Sequence, residues 1–175
     1  MTKLLSSKGK RELPSPSYRK TVLGIVVAVV ALFIILLNLF SHVFSVVQYY
    51  GNGMEPTLHN NQILIIRKTN RVGPGDMVAC YFNNKVLVRR VICEGGNSIS
   101  IDETGAIKIN NELLDEPYVE APSLGQCNIS FPYTVSVGRY FVMGDNREIA
   151  MDSRLSEIGT ISADRILGKI ILVIG

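Results

Sequence analysis

Apolar residues occur in two contrasting arrangements along the chain. From Val22 to Phe40 they run almost unbroken, interrupted only by Gly24 and Asn38, and no charged residue lies between Lys20 and Glu55. These nineteen residues, at ~1.5 Å rise each, reach about 28 Å, close to the ~30 Å hydrocarbon core of a bilayer, whereas the apolar region of a secretory signal spans about 7–15 residues. The pattern predicts a membrane-spanning helix over residues 21–43. No small-x-small cleavage site follows it where a removable leader would need one. From Ser45 onward the apolar runs are short, β-branched and bounded by turn residues, which predicts strands. They fall near Ser45–Tyr50, Gln62–Thr69, Met77–Phe82, Val86–Cys93, Ser98–Ile101, Ile107–Ile109, Tyr140–Met143 and Ile166–Ile174. Gly73-Pro74-Gly75, Asn83-Asn84, Gly105 and Asn110-Asn111 supply the backbone angles of tight turns between them. One short helix is expected around Arg154–Ile158, closed by Gly159. The fold class is thus mainly β: one N-terminal transmembrane helix followed by an antiparallel β outer domain.

Composition sharpens this reading. An apolar content of 47% in 175 residues excludes a disordered chain. The net charge of +3 is concentrated at one end, where Lys3, Lys8, Lys10, Arg11, Arg19 and Lys20 face only Glu12. Without those six bases and one acid, 12 basic residues remain against 14 acidic ones. The outer part lacks the basic footprint of a nucleic-acid binder, so no nucleic acid is expected as partner. The basic flank instead predicts a cytoplasmic tail over residues 1–20, polar and without apolar periodicity, and a cell-membrane protein with a single pass and an extracellular C-terminal domain.

Few residue clusters suggest metal or thiol chemistry. His42 and His59 stand apart from any cysteine or carboxylate pattern, so neither metal nor cofactor is expected. Cys80, Cys93 and Cys127 allow one disulfide and a leftover thiol, or none, and the sequence does not assign the pairing. Cys80 and Cys93 end apolar strands and read as buried structural residues, not as nucleophiles.

After the helix the chain reads "YYGNGMEPTLHNNQILIIRK", followed in order by "GPGDMVACYF", "LVRRVI", "INNELLDEPYV" and "GRYFVMGDNREIAMDSR". This series resembles the type I signal peptidases, in the small Gram-positive form with one N-terminal anchor. Their Gly-x-Ser-Met-x-Pro-Thr-Leu box is matched by Gly51, Asn52, Gly53, Met54, Glu55, Pro56, Thr57 and Leu58. The resemblance implies an extracytoplasmic domain over residues 44–175, with a core of 44–96 and 134–175 and a smaller β insertion at about 97–133. It also implies serine peptidase chemistry by a Ser-Lys dyad, in which a neutral lysine takes the serine proton. A lysine reaches that state when burial disfavours its charged form.

The dyad residues are absent. Gly53 stands where the family has its serine, and Arg89 stands where "LVRRVI" replaces Val-Lys-Arg, with Arg90 matching the following arginine. Glycine has no side chain, and arginine does not release its proton. Ala150 replaces a serine whose hydroxyl helps hold the lysine. Around these positions Asp145, Asn146, Arg147, Asp152, Ser153 and Arg154 match the family and are expected to form a structural box. Arg89 is expected to pair with one of the box carboxylates in a bidentate fork. Thr57 matches a family threonine and reads as a turn residue.

A candidate peptide-binding cleft comprises Gly51, Asn52, Gly53, Met54, Pro56 and Arg89. Lacking the dyad, the chain is similar to the signal-peptidase-like proteins of pilus gene clusters. That resemblance implies a non-catalytic pseudoenzyme acting as a membrane-anchored assembly factor or chaperone for pilin subunits, with a pilin-polymerising sortase as neighbour. The alternatives are an active type I signal peptidase with an unorthodox site and a decoy that binds signal peptides.

Overall fold

The computed structural model describes residues 16–175. Most of the basic tail lies outside the described residues. The chain divides between Ser41 and His42 into a helical unit and a β unit. Helix α1 spans Pro16–Val43 and includes a stretch, Tyr18–Val43, long and apolar enough to cross a membrane. It starts earlier than the expected residue 21, because extending a helix by a turn is cheap once a long helix exists. Pro16, at the first position, has no N–H to leave unpaired.

The β unit contains two sheets. The larger has seven strands in the order β1-β2-β11-β3-β4-β9-β10, every neighbouring pair antiparallel. These are β1 (Phe44–Gln48), β2 (Ile63–Arg67), β3 (Met77–Phe82), β4 (Lys85–Glu94), β9 (Arg139–Met143), β10 (Ile161–Ser162) and β11 (Ile166–Ile174). The smaller sheet has the order β7-β6-β5-β8, from β5 (Ser98–Ile101), β6 (Ile107–Ile109), β7 (Glu112–Leu113) and β8 (Tyr133–Thr134). Asn83 and Asn84 turn β3 into β4 with φ of 45° and 60°, and Asn110 and Asn111 turn β6 into β7 with φ of 50° and 73°. Paired left-handed residues match the twist of a two-residue hairpin, and asparagine tolerates that region better than most side chains.

The short helix expected at Arg154–Ile158 does not form. The segment makes successive turns, closed by the N–H groups of Ile158 and Gly159 on the carbonyl of Leu155 at 3.0 and 2.8 Å. Gly159 does take a left-handed φ of 57°. Asp152, Ser153 and Arg154 are all buried and tied to β9 or to neighbouring loops, so the chain entering the segment is fixed by tertiary contacts. Five residues cannot offset helix nucleation against such anchors.

Three apolar clusters fill the unit. One, around Tyr49, Met54, Leu58, Leu64 and Ile170, underlies the turn between β1 and β2. A second surrounds Cys80 and Val142, and a third surrounds Cys93 and Phe141 next to the smaller sheet. Cys80 and Cys93 thus occupy different clusters, and all three cysteines are free thiols. Desolvation pushes both the Cys80 and the Cys93 thiol up to about 11, so neither is a thiolate at neutral pH. In the native protein a thiol reagent such as Ellman's is expected to titrate Cys127 alone, which is partly exposed, and all three cysteines after denaturation. Rapid native reaction of three thiols would contradict this packing.

Candidate functional site

The turn after β1 is built from both its polar and its apolar residues. Met54 and Leu58 have no exposed surface and insert into the first cluster, while the Met54 N–H donates to the Tyr49 hydroxyl at 3.1 Å. The Leu58 N–H closes on the Met54 carbonyl at 2.9 Å. These anchors hold Gly51, Asn52 and Gly53 along an open groove of about 830 Å³, together with Val88, Arg89 and Met151. Tyr50, Ile149 and Met151 line the same groove and are largely exposed. Of the expected cleft residues, Met54 lies beneath the groove in the core, and Pro56 faces a separate hollow with Thr57 and Tyr118.

The carbonyl of Gly53 accepts the Asn146 N–H at 3.2 Å, which brings the loop after β9 against the turn. Gly144 is required at this contact, because a Cβ there would run into the Gly53 carbonyl and the Ala150 Cβ. Gly53 and Ala150 therefore pack on one glycine, Gly144.

Successive strand residues point to opposite faces, and this separates the two arginines in the centre of β4. Arg89 turns toward Gly53: a Cβ built on Gly53 would lie 3.2 Å from its Nη2 and 3.4 Å from its Cζ and Nη1. Its Nε and Nη2 donate to the Met151 carbonyl at 3.0 and 2.8 Å, and its Nη1 donates to the Val88 carbonyl at 2.6 Å. No carboxylate pairs with Arg89 among the described residues, contrary to the expected fork. Arg90 forms that fork, donating through Nε and Nη2 to the two oxygens of Asp145 at 2.9 and 2.5 Å, with its guanidinium 3.9 Å from the centre of the Tyr118 ring. Burial lowers the pKa of Arg89, and the field of Asp152 works against that fall.

The remaining box residues hold one another. Asp152 accepts from Arg154 at 2.8 Å on each of its two oxygens and from the Gly144 N–H at 3.0 Å. Arg154 also donates to the carbonyls of Leu124 and Arg147 at 2.7 and 2.8 Å. Ser153 accepts the Val142 N–H at 2.9 Å, fixing the segment to β9. Arg147 pairs through both Nη atoms with Glu116 at 2.8 and 2.6 Å.

Glu116 and Tyr118 were not among the sequence candidates, although "DEPYV" lay within a matching box. Burial, and then the hydrogen bond donated to Glu116, raise the pKa of the Tyr118 phenol. Thr57 donates its hydroxyl to Asp145 at 2.6 Å, so it is engaged in the same network. His59 is exposed, 4.0 Å from Glu55.

Removing one partner of a buried pair leaves the other charge uncompensated, at a cost of about 3–5 kcal/mol. Asp145→Ala is expected to lower unfolding free energy by that amount, and adding Arg90→Met to recover a large part of it, in chemical denaturation of the full chain. Equal stability of Asp145→Ala and the unaltered protein would refute the role given to this pair.

The chain is similar in sequence to known proteins. The family model described as signal peptidase, peptidase S26 matches residues 19–174. Signal peptidase I T of Bacillus subtilis (strain 168) is 39% identical over 132 residues, covering 67% of this chain and 67% of the relative. Signal peptidase I S of the same strain is 29% identical over 164 residues, covering 87% and 88%. Signal peptidase IB of Staphylococcus aureus (strain COL) is 26% identical over 173 residues, also covering 87% and 88%. A crystal structure of a signal peptidase I from Enterococcus faecalis V583 aligns with a TM-score of 0.49 at 23% identity, over 58% of this chain and 97% of that one. With its family match extending from the apolar helix to the last strand, the chain belongs to the signal peptidase, peptidase S26, family.

Proposed function

We propose that this protein is a non-catalytic, membrane-anchored signal peptidase I-family member that holds an extended peptide without cutting it. In its host it serves as an assembly factor or chaperone for pilin subunits in sortase-dependent pilus polymerisation, with α1 as a single-pass anchor and the β unit outside the cell. One observation carries the non-catalytic part. At the dyad positions Gly53 has no nucleophile, and the buried guanidinium of Arg89 fills the space beside it and cannot act as base. The pilin part rests on the resemblance to dyad-lacking members of pilus gene clusters. The groove is lined by Val47 and Gln48 of β1, an edge strand of the larger sheet, and by apolar walls, which suit an extended peptide bound by strand addition.

The second reading is an active type I signal peptidase that cleaves signal peptides of exported proteins. The relatives named above favour it over the first, since each is named a signal peptidase I. It requires another nucleophile, and Thr57, Cys80 and Cys93 are poorly suited. Thr57 is committed to Asp145, and Cys80 and Cys93 are buried with raised pKa values.

Deleting the gene from its host and re-expressing the unaltered protein separates the two. Loss of the pilin ladder in cell-wall extracts, with normal processing of an unrelated preprotein, is the expected result, and re-expression restores the ladder. Uncleaved preprotein with an intact ladder would establish the second reading. Capture of intact preprotein with neither defect would instead indicate a signal-peptide-binding decoy.

A complementary test restores the family side chains. Gly53→Ser alone crowds the Arg89 guanidinium, so the change is made together with Arg89→Lys and Ala150→Ser. The triple variant is expected to regain weak preprotein cleavage, read by gel shift of a purified preprotein. Complete inactivity of the folded variant would mean that the groove no longer presents a peptide to the dyad positions.

A further inference from the structure

Among the described residues, four arginines are buried: Arg89, Arg90, Arg147 and Arg154. Three of them have a carboxylate of their own, in the pairs Arg90–Asp145, Arg147–Glu116 and Arg154–Asp152. Arg89 has none, although only 7% of its surface is exposed. Asp152 is its largest favourable charge neighbour, yet both oxygens of that carboxylate are already engaged by Arg154. Arg89 instead donates to two backbone carbonyls, which carry partial charge only. A guanidinium has five N–H donors. The bonds to Met151 and Val88 leave one N–H on each Nη without an acceptor among the described residues. A buried ion without a counter-charge is costly, and a carboxylate offers the two oxygens that two donors on adjacent nitrogens match.

Position decides where such a carboxylate comes from. Arg89 and Gly53 both line the groove, and a side chain at residue 53 would cover the guanidinium, its Cβ lying 3.2–3.4 Å from Nη2, Cζ and Nη1, so glycine there leaves that side of Arg89 uncovered. The walls are apolar, from Tyr50, Val86, Val88 and Met151, and the backbone of Gly51 to Gly53 runs along the side. The lining holds one other cation, Lys85, four residues from Arg89 along β4 and so roughly 13 Å away by strand rise, too far for both to grip one phosphate; the groove better fits an extended chain with a charged residue at Arg89. We propose that Arg89 receives the side-chain carboxylate of an Asp or Glu in a peptide lying in this groove. The site where the family holds its dyad thereby selects an acidic residue. This rests on the reading of the protein as one that holds a peptide, and it adds the chemical class of the residue held.

The test uses the full chain in detergent micelles on a positional-scanning array of octapeptides. The peptides are acetylated and amidated, so that side chains carry the only carboxylates. Asp or Glu is expected to enhance binding at one position, with the matched Asn or Gln peptide about tenfold weaker or more, as loss of a charged hydrogen-bonded contact implies. Arg89→Gln is expected to abolish that preference while leaving residual binding. Should Arg89→Gln fail to fold, Arg89→Lys keeps the charge without the planar fork and is expected to retain the preference at reduced strength. Binding of peptides with no acidic preference, or a preference unchanged in a folded Arg89→Gln or Arg89→Lys variant, would overturn this proposal alone. Binding of no peptide by the unaltered chain would overturn the peptide-holding reading along with it.

Discussion

The guanidinium of Arg154 ties together stretches of chain that are far apart in sequence. It binds both oxygens of Asp152 and the carbonyls of Leu124 and Arg147, while Asp152 takes the Gly144 N–H. Fully buried, these groups are costly when unpaired, so each contact tends to enforce the others. The loop from Gly144 to Arg147 is fixed by this network, and through the Asn146 N–H it fixes Gly53. The groove beside Gly53 thus inherits its shape from an ion pair that does not line it.

Neighbouring residues in one strand show how local geometry assigns chemical roles. Arg89 and Arg90 share a side chain, a strand and nearly the same burial. Strand alternation sends Arg90 to Asp145 and Tyr118, where its charge is neutralised, and sends Arg89 to Gly53, where it meets only carbonyls. The first arrangement is structural support. The second leaves a buried charge lining an open groove with no carboxylate beside it.

Much of the fold was legible from residue pattern, and the exceptions have physical causes. Strands such as Met77–Phe82 and Ile166–Ile174 followed from short apolar runs bounded by turn residues, and both Asn-Asn turns followed from tolerance of left-handed backbone. The two-residue strands β7, β8 and β10 have no periodicity to read and exist because a partner strand is there to pair with. The helix at Arg154–Ile158 was a local preference overruled by tertiary anchors. At the site, the matching boxes drew attention to Gly53, Arg89 and Ala150, but they did not reveal which arginine meets which carboxylate. That depends on side-chain direction in β4 and on Glu116, some thirty residues from Arg147 in sequence.

The place of β11 bears on how the chain acquires its structure. Residues 166–174 lie between β2 and β3 in the larger sheet, paired with both. Until that segment is available, β1 and β2 have no hydrogen-bonded route to β3 and β4, and the two halves of the sheet each expose an unpaired edge. Closing the gap requires contacts between residues such as Ile63 and Ile174, separated by most of the β unit, which is a slow kind of pairing. A ribosome or translocation channel that still holds β11 therefore keeps the sheet in two pieces, β1-β2 and β3-β4-β9-β10, and the join between them waits until residues 166–174 are released.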